Sequence, residues 1–353
     1  MADLESLGWN DALAQAFAPF AAEGFAPARI GAEHQHVYTL LTSEGERLAR
    51  VTGRLRHEAD GRADFPAIGD WVVARCLPGE DRATIHAILP RHSRFSRRAA
   101  GENDEEQIVA ANVDTVFLVM GLDGDFNPRR LERYLTVAWD SGADPVVLLS
   151  KADLCEEREA RRLEIEALGA PTHLVSARSG LGLDAIGAYL KPGGTVALLG
   201  SSGVGKSTLI NRLLGEERLA TREVRKSDDR GRHTTSMRQL LSLPCGALVI
   251  DTPGMRELQL WDSAAGLGAT FADVEELGAA CRFGDCGHVS EPGCAVRAAV
   301  EEGRLPRKRL ESYHKLQKEL VALAVRQDRR LEAEQRKKWR SIHKVARRHK
   351  PRG

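Results

Sequence analysis

The chain has 353 residues, enough for two or three domains, with 29 % charged side chains and no low-complexity tract. Its net charge is +1, and no apolar run approaches the roughly 18 residues that a membrane span needs. The acidic start Met1-Ala2-Asp3-Leu4-Glu5 lacks a basic region followed by an apolar one, so no secretory signal is read and a cytoplasmic protein is expected.

Residues 1–34 read as an N-terminal extension: a short helix from Asp11 to Phe20, then a linker broken by Pro19, Gly24 and Pro27. From Val37 to Leu89 the pattern changes to short strand-like pieces, Val37–Leu41, Arg47–Val51, Asp70–Cys76 and Thr84–Leu89, separated by glycine-containing turns. That spacing predicts a small β-barrel of the OB type over 35–98. Arg47, Arg50, Arg54, Arg56 and His57 line part of it, and Arg91, His92, Arg94, Arg97 and Arg98 follow. Such a face suits RNA, and it equally suits a solvated surface.

Beyond residue 99 apolar strands alternate with helical stretches up to Asp251, the signature of a doubly wound α/β sheet. Val113–Met120 and Pro145–Leu149 are buried-type strands on either side of a helix from Pro128 to Ser141. Directly after the second strand stands Ser150-Lys151-Ala152-Asp153, and after the next strand, Thr172–Val175, stands Ser176-Ala177. Then comes Thr195–Leu199, followed by Gly200-Ser201-Ser202-Gly203-Val204-Gly205-Lys206-Ser207, which fits the phosphate-loop pattern, and a helix opening at Thr208. A polar stretch, Arg222 to Arg238, carries Gly231-Arg232-His233-Thr234-Thr235; the strand Ala247–Ile250 ends in Asp251-Thr252-Pro253-Gly254.

Each motif has a chemical task. In the phosphate loop, glycines bring backbone N–H groups up to phosphate oxygens at a helix N-terminus. Lys206 reaches the terminal phosphates and the Ser207 hydroxyl ligates Mg2+. A carboxylate at Asp153 accepts from guanine N1–H and the exocyclic amine, a donor pair adenine lacks, and burial of that Asp would sharpen the choice. Lys151 lies along the base with its aliphatic stem. The usual guanine motif is Asn-Lys-x-Asp, so Ser150 is a departure that leaves affinity at this corner open. A threonine of the polar loop closes over Mg2+; Thr234 and Thr235 are both candidates, and Thr235 is assigned to the ion. Asp251 holds the ion through water, and the Gly254 N–H meets the γ-phosphate.

The C-terminal part is read over 266–353 as a metal knuckle and a basic helical tail. Cys281, Cys286, His288 and Cys294 fall within fourteen residues among Gly and Pro turns, a pattern that matches a closed Cys3His zinc site. The other cysteines, Cys76, Cys155 and Cys245, stand alone in apolar surroundings and read as buried thiols. From Arg326 to Gly353 twelve Lys/Arg face three acids, which points to a polyanionic partner.

The motifs are those of a GTPase in shuffled order: base-reading motifs first, then the phosphate loop, the threonine loop and Asp-x-x-Gly. This order resembles a circularly permuted GTPase, which places the GTPase domain over 99–265. With the barrel and Cys-x4-Cys-x-His-x5-Cys, nearly the whole chain resembles the small ribosomal subunit biogenesis GTPase RsgA family. The resemblance implies a monomeric GTPase that binds the 30S subunit through 16S rRNA and acts late in its maturation. It implies turnover stimulated there, release of other assembly factors, GTP/GDP, Mg2+ and one Zn2+. It also implies that His233 positions the attacking water, since Met255 stands where a water-orienting Gln is usual; contact with RNA is the other role open to His233. Slow unstimulated hydrolysis is expected. An rRNA-binding scaffold with structural GTP is the alternative, and an ATP-dependent enzyme is a weaker third.

Overall fold

The computed structural model describes residues 3–76, 81–98, 105–216, 238–251 and 264–325, which fall in two compact units, Met1–Gln259 and Leu260–Gly353. In the first unit, helix α1 (Asp11–Ala21) opens on Asn10, whose side chain accepts from the Leu13 N–H. Five strands follow: β1 (Ala26–His34), β2 (Val37–Thr42), β3 (Gly45–Val51), β4 (Trp71–Cys76) and β5 (Arg82–Ile88), with helix α2 (Gly53–Glu58) after β3. β1 runs antiparallel to β2 and to β4, β2 to β3, and β4 to β5, while β3 lies parallel to β5. The ring closes in the order 1-2-3-5-4-1, the OB-barrel connectivity. Ile30, Tyr38, Leu40, Val72 and Ile85 fill it, while Trp71 faces the other way and packs against Trp9.

The linker reading between Phe20 and residue 34 is corrected: 26–34 form β1, which closes the barrel. Pro27 and Gly31 hid the strand in the sequence, yet Pro27 pairs with Val73. The register shift between Ile30 and Ala32 is a bulge that redirects the far end of the strand. There Ala32 pairs with Gln239 of a strand two hundred residues away in the chain.

That partner belongs to the α/β part. After the hairpin β6 (Arg94–Arg98) and β7 (Glu106–Ala111) come β8 (Thr115–Gly121), α3 (Pro128–Ser141), β9 (Asp144–Ser150) and α4 (Arg158–Glu166). They are followed by β10 (Thr172–Leu174), α5 (Leu183–Gly187), β11 (Thr195–Leu199), α6 (Lys206–Leu214), β12 (Arg238–Ser242) and β13 (Leu248–Asp251). The strand order is β10-β9-β8-β11-β13-β12, parallel except for the β12–β13 pair. Through β12 and β1 it is continuous with the barrel, an 11-stranded sheet in all. Near-continuous apolar runs such as Val116–Met120 and Val146–Leu149 are buried on both faces, as helix-covered parallel strands must be.

Cys245 is exposed, not buried, because it sits in the tight turn between β12 and β13 where Gly246 N–H bonds Leu243 O. Cys76 and Cys155 are half-buried.

The second unit contains α7 (Ala264–Thr270), α8 (Ala272–Gly278), α9 (Ala295–Glu301) and a helix over 307–325, α10. Arg309 of α10 reaches Asp273 at 3.0 Å and the Thr270 carbonyl, and Tyr313 packs edge-on against Phe271. His314 bonds the Gly287 carbonyl, so the cysteine-bearing loop is held against α10. Among the described residues no helix is long and apolar enough to cross a membrane.

Candidate nucleotide site and metal centre

The sheet order explains how shuffled motifs meet. Ser150 ends β9, Ser176 follows β10, Gly200 follows β11 and Asp251 ends β13, so all four leave the carboxyl ends of parallel strands of one sheet. That edge is where open α/β sheets bind ligands. Strands carrying the base-reading motifs lie on one side of β8 and β11, and β13 lies on the other.

The phosphate loop is built as its pattern demands. A Cβ on Gly200 would stand 2.2 Å from the Val119 carbonyl oxygen, so the chain can leave β11 only with glycine there. Gly205, at φ 97°, turns the loop into α6. Between them Val204 is fully buried in the core with Val196, Leu209 and Ile210 and anchors the loop from beneath. The Lys206 ammonium folds over the loop, donating to the Gly200 carbonyl at 2.7 Å and the Ser201 carbonyl at 2.6 Å. Ser201 and Ser207 are half-buried, whereas Ser202, Gly203 and Thr208 are open to solvent.

Ser150 turns out to tie the base-side strand to this loop. Its hydroxyl is buried and lies 2.7 Å from the Val204 carbonyl and 3.3 Å from that of Met120. A hydroxyl carries a single proton, and the shorter contact claims it. Lys151 takes a left-handed backbone, φ 57°, and its ammonium lies 2.6 Å from a carboxylate oxygen of Asp123. Asp153, in the short 3-10 turn Ala152–Leu154, is exposed rather than buried. The second base-side loop is tied to the first by one bond and braced within itself by another. Ala152 N–H donates to Val175 O, and Ser176, itself buried, accepts from Ser179 N–H at 3.1 Å while Ala177 stays half-buried.

The structure therefore brings together Ser150, Lys151, Asp153, Ser176, Ala177 and the loop from Gly200 to Thr208, with the backbone of Asp251 on the same edge. His233, Thr234, Thr235 and Gly254 lie outside the described residues, as does the basic tail from Arg326 on.

Two charged residues went unrecognised in the sequence. Asp123, in the polar loop after β8, is one. Arg29 is the other: fully buried in β1, it donates to the carbonyls of Leu7, Gly69 and Asn112 and to the Thr195 hydroxyl at the start of β11. Burial pushes its guanidinium down to about 10. No motif flags a cation in a strand that reads as linker. Arg91, read as part of an RNA face, is instead occupied internally, with two bonds to Asp70 at 2.7 Å and others to Ala63 O and Phe65 O. Arg50 and Arg94 stay exposed on the barrel and the hairpin.

In the second unit Cys281, Cys286, His288 and Cys294 place their donor atoms within 4.8 Å of one another. His288 turns Nδ1 inward, 3.6 Å from Cys281 Sγ and 3.5 Å from Cys294 Sγ; the two sulfurs are 3.9 Å apart. A tetrahedral ion with bonds of about 2.0–2.3 Å has donor-to-donor edges of about 3.5–3.8 Å, so the cluster fits one metal ion. Glu291 braces the loop by accepting from the N–H groups of Gly287, Val289 and Ser290; its own N–H first, and then these three, hold its carboxyl down at about 2.

Phosphate loop, base-side loops and strand order define a circularly permuted P-loop GTPase joined to an OB barrel. The profile of the RsgA GTPase family matches residues 88–261. A relative from Opitutus terrae called "Small ribosomal subunit biogenesis GTPase RsgA" is 52 % identical, covering 96 % of this chain and 96 % of its own. One from Streptomyces coelicolor with the same title is 42 % identical over 96 % of this chain and 92 % of its own. Among solved structures, YjeQ from Thermotoga maritima superposes with a TM-score of 0.64 at 29 % identity, over 84 % of this chain and 99 % of that one. YloQ, described as a circularly permuted GTPase, shares the fold with a TM-score of 0.61 at 24 % identity, over 84 % of this chain and 96 % of that one. The chain belongs to the RsgA GTPase family, and it is a GTPase.

Proposed function

We propose that the protein is a cytosolic, monomeric GTPase that binds the small ribosomal subunit through its rRNA and hydrolyses GTP there late in maturation, so that turnover times its own release and that of other assembly factors. The observation that supports this most is the Ser150–Val204 bond, which joins the base-side motif to the phosphate loop across the permuted sheet. The relatives' shared title supplies the subunit as the place of action.

In this reading Asp153 accepts from the guanine edge, Lys151 lies along the ring, and Ser176 and Ala177 close the base side. The N–H groups of Gly200 to Thr208 surround the phosphates. Lys206 leaves the two loop carbonyls for the terminal phosphates, an exchange of hydrogen-bond partners that keeps its ammonium satisfied. Ser207, Thr235 and Asp251 would hold Mg2+, which neutralises phosphate charge when bound. Thr234 and the Gly254 N–H close on the γ-phosphate side. Met255 offers no hydrogen bond to water, so His233 is assigned to position the nucleophile and unstimulated hydrolysis is slow. Cys281, Cys286, His288 and Cys294 hold a structural Zn2+: four protein donors leave no open position for chemistry.

The test is phosphate release from GTP with and without 30S subunits. Strong stimulation supports the reading, and an unchanged rate favours a scaffold in which bound GTP is structural. A His233→Ala chain that keeps full stimulated turnover removes His233 from the chemistry.

A further inference from the structure

We propose that Asp123 is a positioning residue of the guanine site, holding Lys151 along the base edge of the pocket; the proposal rests on the guanine reading above. The register places the two side by side. Gly121 at the end of β8 pairs with Ser150 at the end of β9, and the acid and the lysine stand just beyond that pair. Lys151 leaves the strand in a left-handed turn, φ 57° and ψ 33°, and its ammonium then lies 2.6 Å from Asp123 Oδ2.

Asp123 is itself held. Its other oxygen accepts from the Asp125 N–H at 3.0 Å, and Asp125 is fastened by Arg130 at 2.7 Å. A Cβ on Gly121 would come within 2.6 Å of that same oxygen, so the bare glycine makes room for the carboxylate. Burial raises the Asp123 pKa, but the bonds from Lys151 and the Asp125 N–H outweigh it and bring it below the ordinary value. The carboxylate therefore stays charged throughout the neutral range.

A lysine free in solution loses the freedom of four rotors when it settles against a ring. Lys151 has already lost much of that freedom, because its tip is pinned while its stem spans the loop. An exposed ion pair of this kind adds little to stability. Its effect belongs to binding, through preorganisation.

The experiment measures GDP, ADP and inorganic pyrophosphate affinity, with melting temperature, for the full chain and for Asp123→Ala, Asp123→Asn, Lys151→Ala and the double variant. Asp123→Ala and Lys151→Ala are each expected to weaken GDP about ten-fold, and the double variant no more than Lys151→Ala alone. Asp123→Asn, which keeps an acceptor for the ammonium, falls between Asp123→Ala and the parent. Pyrophosphate affinity and melting temperature stay unchanged, because neither depends on Lys151. Wild-type GDP affinity in Asp123→Ala, losses that multiply in the double variant, or an equal loss of pyrophosphate would each overturn the proposal. If the parent chain binds ADP as well as GDP, the guanine reading fails and this inference falls with it. If the parent prefers GDP and Asp123→Ala matches it, only the inference fails.

Discussion

Arg29 shows how much one side chain can carry without touching a ligand. Its guanidinium serves four acceptors drawn from the N-terminal segment, the barrel, the β7–β8 connection and the strand that leads into the phosphate loop. Arg29→Ala would take the donor from the carbonyls of Leu7 and Asn112 and from the Thr195 hydroxyl, while Gly69 keeps its bond from the Asn112 side chain, at a cost of about 3–5 kcal/mol in urea unfolding. Arg29→Lys should recover little of it, since an ammonium cannot spread its donors as the planar fork does. His173 offers a pH test at the same scale. Burial lowers its pKa below 6.5 against the opposing pull of Glu166, with a further push from Arg162, while the ring bonds the Tyr189 hydroxyl at 2.9 Å. The unfolded chain then takes up the proton more readily, so stability is complete above pH 6.5 and declines as pH falls through the lowered folded value. Melting curves should show a steeper loss between pH 7 and pH 5 in the parent than in His173→Gln. Equal slopes would mean that His173 is not held neutral.

At the scale of the element, what the sequence announces and what it hides have physical causes. Strands buried on both faces announce themselves as apolar runs, and α3 is framed by Asn127, Pro128 and Gly142, so these elements are legible. β1 is not. Its pattern is interrupted by Pro27 and Gly31, and its pairing changes from β4 to β12 along its length, so no single alternation runs through it. The hairpin β6–β7 is likewise masked by arginines on β6, of which Arg94 is exposed and Arg97 bonds Gln107. Within the site, the phosphate loop, Ser150 to Asp153 and the cysteine cluster are legible because the chemistry demands fixed spacing. Asp123 is not, because its partner lies in a different loop and only the β8–β9 register brings them together. The loop itself yields a sharp prediction. Gly200→Ala would drive a methyl group into the Val119 carbonyl, costing about 2 kcal/mol or more of stability and abolishing nucleotide binding, read by calorimetry and fluorescent GDP. A Gly200→Ala chain that binds GDP normally would show that this exit from β11 is adaptable.

At the scale of the whole molecule, permutation lets a barrel precede the GTPase part and a unit with a Cys3His cluster follow it, while one continuous sheet runs through residue 251. The unit that carries the cluster packs Phe271, Val274, Val296, Ala299 and Leu316 into a small core and is braced by Glu291, Arg309 and His314. Chelation, or Cys286→Ser, should therefore abolish a folding transition of residues 260–353 and lower helical signal, with GDP affinity retained in the same sample. A sample that keeps every transition after its metal is removed would make the ion dispensable. The central claim is that segments scattered along the chain converge on one guanine nucleotide. Its most direct measurement is the relative affinity for GDP and XDP in the parent and in Asp153→Asn. Xanthine replaces the exocyclic amine of guanine by a carbonyl, which an Asn amide can meet and an Asp carboxylate cannot. The account predicts that the parent prefers GDP and that Asp153→Asn prefers XDP; an Asp153→Asn chain that still prefers GDP as strongly as the parent would contradict it.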